Sequence, residues 1–144
     1  MSDPLRTLED YELFLYTLSD RFKSIRHSTI VLVRRGASLA RVSGELHFDL
    51  GYRVVMVERI IADRSPVVIE TYAYELWCGD KKISWYDCQP HPDVPSLQAT
   101  HPHHKHVPPD IKHHRIAAPR MSFTRPNLPE LVAEVEALIA QTST

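Results

Sequence analysis

Apolar and polar positions along this 144-residue chain change their period twice. From about Leu8 to Ile25, Tyr11, Phe14 or Leu15, Leu18, Phe22 and Ile25 recur every three to four residues, the stripe of a helix that buries one face. Thr7 is placed to cap it, and Glu9 and Asp10 complement the dipole in its first turn. From Ser28 the period falls to two. Thr29–Val33 is a β-branched run ended by the turn Arg34-Arg35-Gly36. Ala40, Val42, Gly44, Leu46 and Phe48 then alternate with Arg41, Ser43, Glu45 and His47, the pattern of a half-exposed strand. Tyr52–Ala62, Val67–Trp77 and Lys81–Asp87 supply three more strands, separated by the turns Asp49-Leu50-Gly51, Asp63–Pro66 and Cys78-Gly79-Asp80. Glu58 falls in register with Val54 and Met56, while Val55, Val57 and Arg59 face away.

Strands joined by such short turns leave no room for crossover helices, so the sheet is antiparallel. Beyond Asp87, Pro90, Pro92, Pro95 and Pro102 preclude regular structure until about Lys105, and Pro108 and Pro109 interrupt again. Lys112–Ala118 reads as one more short strand. A last helix follows, with Asn127 as N-cap, Pro129 and Glu130 in its first turn, and Leu131, Val135, Leu138 and Ile139 as its buried stripe. The prediction is one α+β domain over residues 1–144. It has a twisted antiparallel sheet of five or six strands, N-terminal and C-terminal helices on one shared face, and a His/Pro-rich site loop at about 88–112.

Composition changes this picture little. Apolar content of 43% and charged content of 24% suit a soluble globular protein. No apolar run reaches the length of a membrane span and Met1–Ser28 has no signal-peptide pattern, so a cytoplasmic location is the expectation. Two cysteines, Cys78 and Cys88, are expected to remain thiols there. A net charge of −1 excludes a global polycation, yet residues 101–120 carry Lys105, Lys112, Arg115 and Arg120 against Asp110 alone. Such a basic lobe suits phosphate contact, and a solvated loop explains it nearly as well.

Histidine placement changes the picture more. Five of the nine histidines fall between Trp85 and His106, and His113 and His114 follow closely. Three readings of Tyr86, Asp87, His91, His101, His103, His104, Lys105 and His106 stand side by side. The first is metal binding, with zinc as the cofactor and His101, His103, His104 and His106 as ligands, helped by Asp87 or Cys88. In an extended segment His104 and His106 point one way and His101 and His103 the other. The second needs no cofactor: acid/base cleavage of RNA through the 2′-hydroxyl, which asks for a base, an acid and a cation on the phosphate. There His103, His104 and His106 supply the reacting groups, Lys105 holds the phosphate from the same face as His103, and Asp87 orients an imidazole. Tyr86, His91 and Arg115 are the substrate contacts. The third reading is structural, with Tyr86 in the core, Asp87 at a turn and the histidines on an exposed loop.

The order of motifs resembles the TumE family, small toxins of bacterial and archaeal toxin–antitoxin systems. Tyr72-Ala73-Tyr74 is similar to its Tyr-x-Tyr element, Tyr86-Asp87 to the centre of Arg-Tyr-Asp-Asn, and Pro90-His91 to part of Pro-His-His. Pro102-His103-His104-Lys105-His106 is similar to its Pro-His-His-Lys-His box, and the likeness runs over roughly residues 40–140. Trp85 stands where the family has arginine, Cys88 where it has asparagine, and Pro92 where it has a second histidine. If that arginine holds phosphate, the task falls here to Lys105 or Arg115. The resemblance implies a toxin with a cognate helix-turn-helix antitoxin as partner, RNA as a candidate substrate and no membrane. Homo-oligomerisation is left open. Tyr72 and Tyr74 are candidate antitoxin contacts, with core packing as the competing role.

Overall fold

The computed structural model describes residues 3–88, 103–112 and 114–142. His91, His101 and His113 lie outside the described residues. Helices α1 (Leu8–Tyr16) and α2 (Leu18–Arg21) open the fold and α3 (Leu128–Thr142) closes it. Between them run β1 (His27–Ser28), β2 (Val31–Arg35), β3 (Leu39–His47), β4 (Tyr52–Ile61), β5 (Val68–Cys78), β6 (Lys81–Asp87), β7 (His104–His106) and β8 (Arg115–Ala117). All eight join one antiparallel sheet in the order β1-β3-β4-β5-β6-β7-β8, with β2 also paired to β3. This is the α+β architecture that the two periods predict, with more strands than expected.

The additional strands have local causes. The stretch from His27 to Arg35 divides into β1 and β2 at Thr29-Ile30, and the Ile30 backbone lies against Gly44 of β3. A Cβ at Gly44 would stand 2.6 Å from the Ile30 Cα, and its φ of +146° is open only to glycine. The Pro-His-His-Lys-His box itself supplies β7, while the short strand expected within Lys112–Ala118 forms as β8. The first helix is shorter than its apolar stripe. The Thr17 hydroxyl donates to the Leu13 carbonyl at 2.7 Å, and the chain breaks there before the four residues of α2. Thr7 caps α1 as expected, accepting from the Asp10 amide at 3.0 Å. Asn127 precedes α3 but does not cap it through its side chain. Its Oδ1 accepts from the Ser122 amide at 2.8 Å, and its Nδ2 donates to the Tyr74 hydroxyl at 2.9 Å.

Alternation along each strand gives the sheet two unlike faces. One packs α1 and α3 and contains the core: Tyr11, Leu15 and Leu18 from the first helices, Val42, Leu46, Val54, Met56, Ile60, Ile69, Tyr74 and Leu76 from the sheet, and Leu131, Val132 and Val135 from α3. Tyr72 and Tyr74 lie on this face, 4% and 0% exposed, so they are core residues and not an outward surface for an antitoxin. Glu58 is buried among them. It accepts a hydrogen bond from Tyr11 and another from Tyr74, both at 2.5 Å. Burial holds its carboxyl above the usual carboxylate range, against the opposing pull of the two hydroxyl donors. The opposite face carries the residues described next.

Candidate functional site

Cross-strand register assembles the candidate site on the face away from the helices. Ala73, Asp87, His104 and Ala117 form one row across β5, β6, β7 and β8, and Glu75, Trp85, His106 and Arg115 form the next. Asp87 therefore has His104 directly opposite and His106 on the diagonal, both within side-chain reach. All three are buried: Asp87 is 5% exposed and each imidazole 1%. His104 Nε2 is in direct contact with Asp87 Oδ1, and His106 Nε2 stands 3.3 Å from Asp87 Oδ2. Trp85 stacks on His106 with ring centroids 4.2 Å apart.

Partner identity sets the state of His106. Its Nδ1 is 3.0 Å from the Ile111 carbonyl oxygen, which only accepts, so Nδ1 carries a proton. In a neutral ring Nε2 then presents a lone pair to the carboxylate oxygen of Asp87. Two acceptors cannot face each other at 3.3 Å in a buried site without a proton or a cation between them. A second ring proton, a carboxyl proton or a metal cation can fill that place. The arrangement suits either proton transfer or metal ligation.

A groove of about 720 Å³ leads up to the cluster. Asp87, Cys88, Trp85, Ala73 and Thr71 line one end, and Arg35, Arg41 and Arg59 the other. Arg41 and Arg59 are directly opposite on β3 and β4. Arg59 is paired with Glu70 at 2.8 Å, whereas no carboxylate pairs with Arg35 or Arg41 among the described residues. Two like charges directly opposite repel, and Glu70 offsets that repulsion on the Arg59 side. These arginines were not singled out from the sequence. The readable signal was the parity that puts Arg41 and Arg59 outward on neighbouring strands. Burial pushes the Cys88 thiol up from its ordinary value, and its sulfur accepts from the Tyr72 amide at 3.2 Å.

The remaining expected site residues divide between the two faces. Arg115 neighbours His106 across β7 and β8, and its buried Nε has no hydrogen-bond partner among the described residues. Lys105 lies on the helix side, with its ammonium 3.2 Å from Glu134 of α3 and 5.1 Å above the Tyr86 ring. Tyr86 also donates to Glu134, so it belongs to that side as well. His103 shares that side with Lys105 but turns to Tyr72, its Nδ1 2.5 Å from the phenol oxygen and its ring stacked at 5.7 Å. The box thus sends His104 and His106 to Asp87, and Lys105 and His103 elsewhere. Cys78 and Cys88 are both free thiols.

A helix-backed antiparallel sheet with a buried Asp/His cluster at the end of an arginine-lined groove defines a small α+β protein with a built polar centre. The family model described as Toxin TumE matches residues 14–139, and the chain belongs to that family. Membership makes it a toxin component and implies an antitoxin partner. Neither curated proteins nor solved structures give a match. No helix among the described residues is long and apolar enough to cross a membrane.

Proposed function

We propose that this toxin is an endoribonuclease that works from the outer face of its sheet. One observation carries the reading: an arginine-lined groove ends on Asp87, which touches two buried imidazoles. Arg35 and Arg41 hold the phosphates of a single-stranded RNA in the groove, with Arg115 as a further cation beside His106. Asp87, His104 and His106 move the protons. The 2′-oxygen attacks the adjacent phosphorus while its proton passes into the cluster, the bond from phosphorus to the 5′-oxygen breaks, and a proton returns to that oxygen. Products carry a 2′,3′-cyclic phosphate and a 5′-hydroxyl. Lys105 and His103 have no part in this scheme, because Glu134 and Tyr72 hold them on the other side of the sheet. A helix-turn-helix antitoxin neutralises the protein by covering the groove.

The test uses end-labelled RNA and the same RNA with 2′-deoxy substitution at the cleaved positions. Cleavage of the first alone, with cyclic-phosphate ends and in the presence of a chelator, is the expected result. Cleavage of both RNAs, or none of either by protein that arrests growth, ends the ribonuclease reading.

A further inference from the structure

We infer that Asp87, His104 and His106 form a binding site for a transition-metal cation of the zinc class, a ligand set different from the histidine tract alone. One carboxylate and two imidazoles offer ligand atoms within 4.8 Å of one another, all buried. Two ligands each about 2.0–2.1 Å from a tetrahedral zinc ion stand about 3.3 Å apart. His106 Nε2 and Asp87 Oδ2 are separated by 3.3 Å. The closer pair, His104 Nε2 and Asp87 Oδ1, has to part for an ion to enter, a motion open to a carboxylate by rotation about its Cβ–Cγ bond.

Orientation supplies the second argument. A histidine that ligates through Nε2 must hold its proton on Nδ1, and this is commonly enforced by a backbone carbonyl bonded to Nδ1. The Ile111 carbonyl does so for His106 at 3.0 Å, and Trp85 stacked on the same ring fixes its plane. His106 is therefore set as a ligand before any ion arrives. The ion also answers the question raised by lone pair and carboxylate, since it supplies the positive charge between them.

His103 is excluded from the set by its bond to Tyr72 on the other side of the sheet. Three protein ligands leave a fourth position of a tetrahedral ion for water. Metal binding does not depend on the ribonuclease reading. Where that reading holds, an ion on these lone pairs removes them from proton exchange, and the loaded protein is the silent form.

The experiment uses the full chain without an affinity tag, zinc and cobalt(II) as probes, and no RNA. Titration against a chromophoric chelator is expected to give one zinc per chain. X-ray absorption of the zinc form is expected to show two imidazoles among nitrogen and oxygen ligands. Asp87→Asn and His106→Gln should each weaken zinc by about 100-fold or more, as loss of a direct ligand exceeds the about 10- to 100-fold of its supporting partners. His103→Ala should bind as the parent does. Substoichiometric zinc, three or more imidazoles around it, or undiminished affinity in both Asp87→Asn and His106→Gln overturns the site. The absorption measurement on the parent protein decides the question even if a variant fails to fold. Cleavage that requires zinc would overturn the metal-free ribonuclease scheme and leave the metal site standing.

Discussion

The sheet carries one buried carboxylate on each face, and the two are solved differently. Glu58 faces the helices, accepting from the Tyr11 and Tyr74 hydroxyls, with Asn127 bonded to Tyr74 behind them. Asp87 faces away, against His104 and His106 at the end of a groove. Phenols donate and keep their protons. Burial and the neighbouring Glu58 carboxylate push Tyr11 and Tyr74 well above their ordinary value. In that network the donors do not change state near neutrality, and it ties α1, β4, β5 and the start of α3 together. Imidazoles gain and lose protons near neutrality and ligate metals, so the Asp87 network has several states. Burial alone therefore does not separate a structural carboxylate from a chemical one. What separates them is whether the partners can change state and whether an open groove reaches them.

Exchanging the two roles has the largest expected effect. Asp87→Asn should lower RNA cleavage and toxicity by about 10²- to 10⁴-fold, the usual contribution of an acid/base group. Glu58→Gln should leave both near the parent level in protein that remains folded. Equal loss in the two variants, with circular dichroism unchanged, would erase the distinction between the faces.

The mirror measurement is stability. Tyr11→Phe removes one donor from a buried carboxylate and should cost about 1–3 kcal/mol, read from the urea midpoint. The Glu58 network should also set a pH dependence. Its folded pKa lies above its unfolded value near 4.5, so the native state binds more protons across the interval between them. The contribution is fully present below pH 4.5 and is lost as pH rises through the folded value. Urea unfolding across this range should show stability falling with pH in the parent and a flatter profile in Glu58→Gln. A profile equally steep in both proteins would assign the dependence to another group.

Much of this contrast was legible from the sequence, and the illegible part has a physical pattern. Period two put Glu58 with Val54 and Met56, and the alternation after Pro102 separated His104 and His106 from Lys105. Face assignment is a local property, so the chain itself carries it. Partner identity is not local. Glu134 lies 29 residues from Lys105 and Tyr11 lies 47 from Glu58. Nothing short of the fold says that a lysine in a histidine box is held by a helix that begins more than twenty residues further along the chain. The arginine groove failed to stand out for the same reason: Arg35, Arg41 and Arg59 come from three strands and meet only in the sheet. The break of the first helix at Thr17 was hidden because the apolar stripe continues through it, with Leu18, Phe22 and Ile25 still packed on the core.

The groove offers a finer measurement on the outer face. Each phosphate held by a cation adds about 0.7 to the slope of log affinity against log salt for a single strand. Arg41→Gln should flatten that slope by about this amount in an inactive background such as Asp87→Asn, and Arg35→Gln should do the same. An unchanged slope in both would show that RNA does not lie in this groove. Arg59→Gln should change the slope less, because Glu70 already neutralises that guanidinium.

Lys105 should show the smallest effect, and it is the residue on which sequence and structure differ most. In the Pro-His-His-Lys-His box it reads as the phosphate ligand, a role that would make Lys105→Gln as damaging as loss of a histidine. In the fold its ammonium is 3.2 Å from Glu134, with the two side chains 22% and 24% exposed. A pair that water still reaches contributes about 0–1 kcal/mol after screening. Its Tyr86 contact, 5.1 Å to the ring centroid, adds little at such a site. Lys105→Gln should therefore lower stability by less than about 1 kcal/mol and leave cleavage, zinc affinity and the salt slope at parent values. Glu134→Gln should match it in stability, since each variant breaks the same pair. A loss of cleavage in Lys105→Gln comparable to that in Asp87→Asn, with Glu134→Gln unaffected, would bring the lysine back to the reacting centre. It would also show that the two faces of the sheet act as one site.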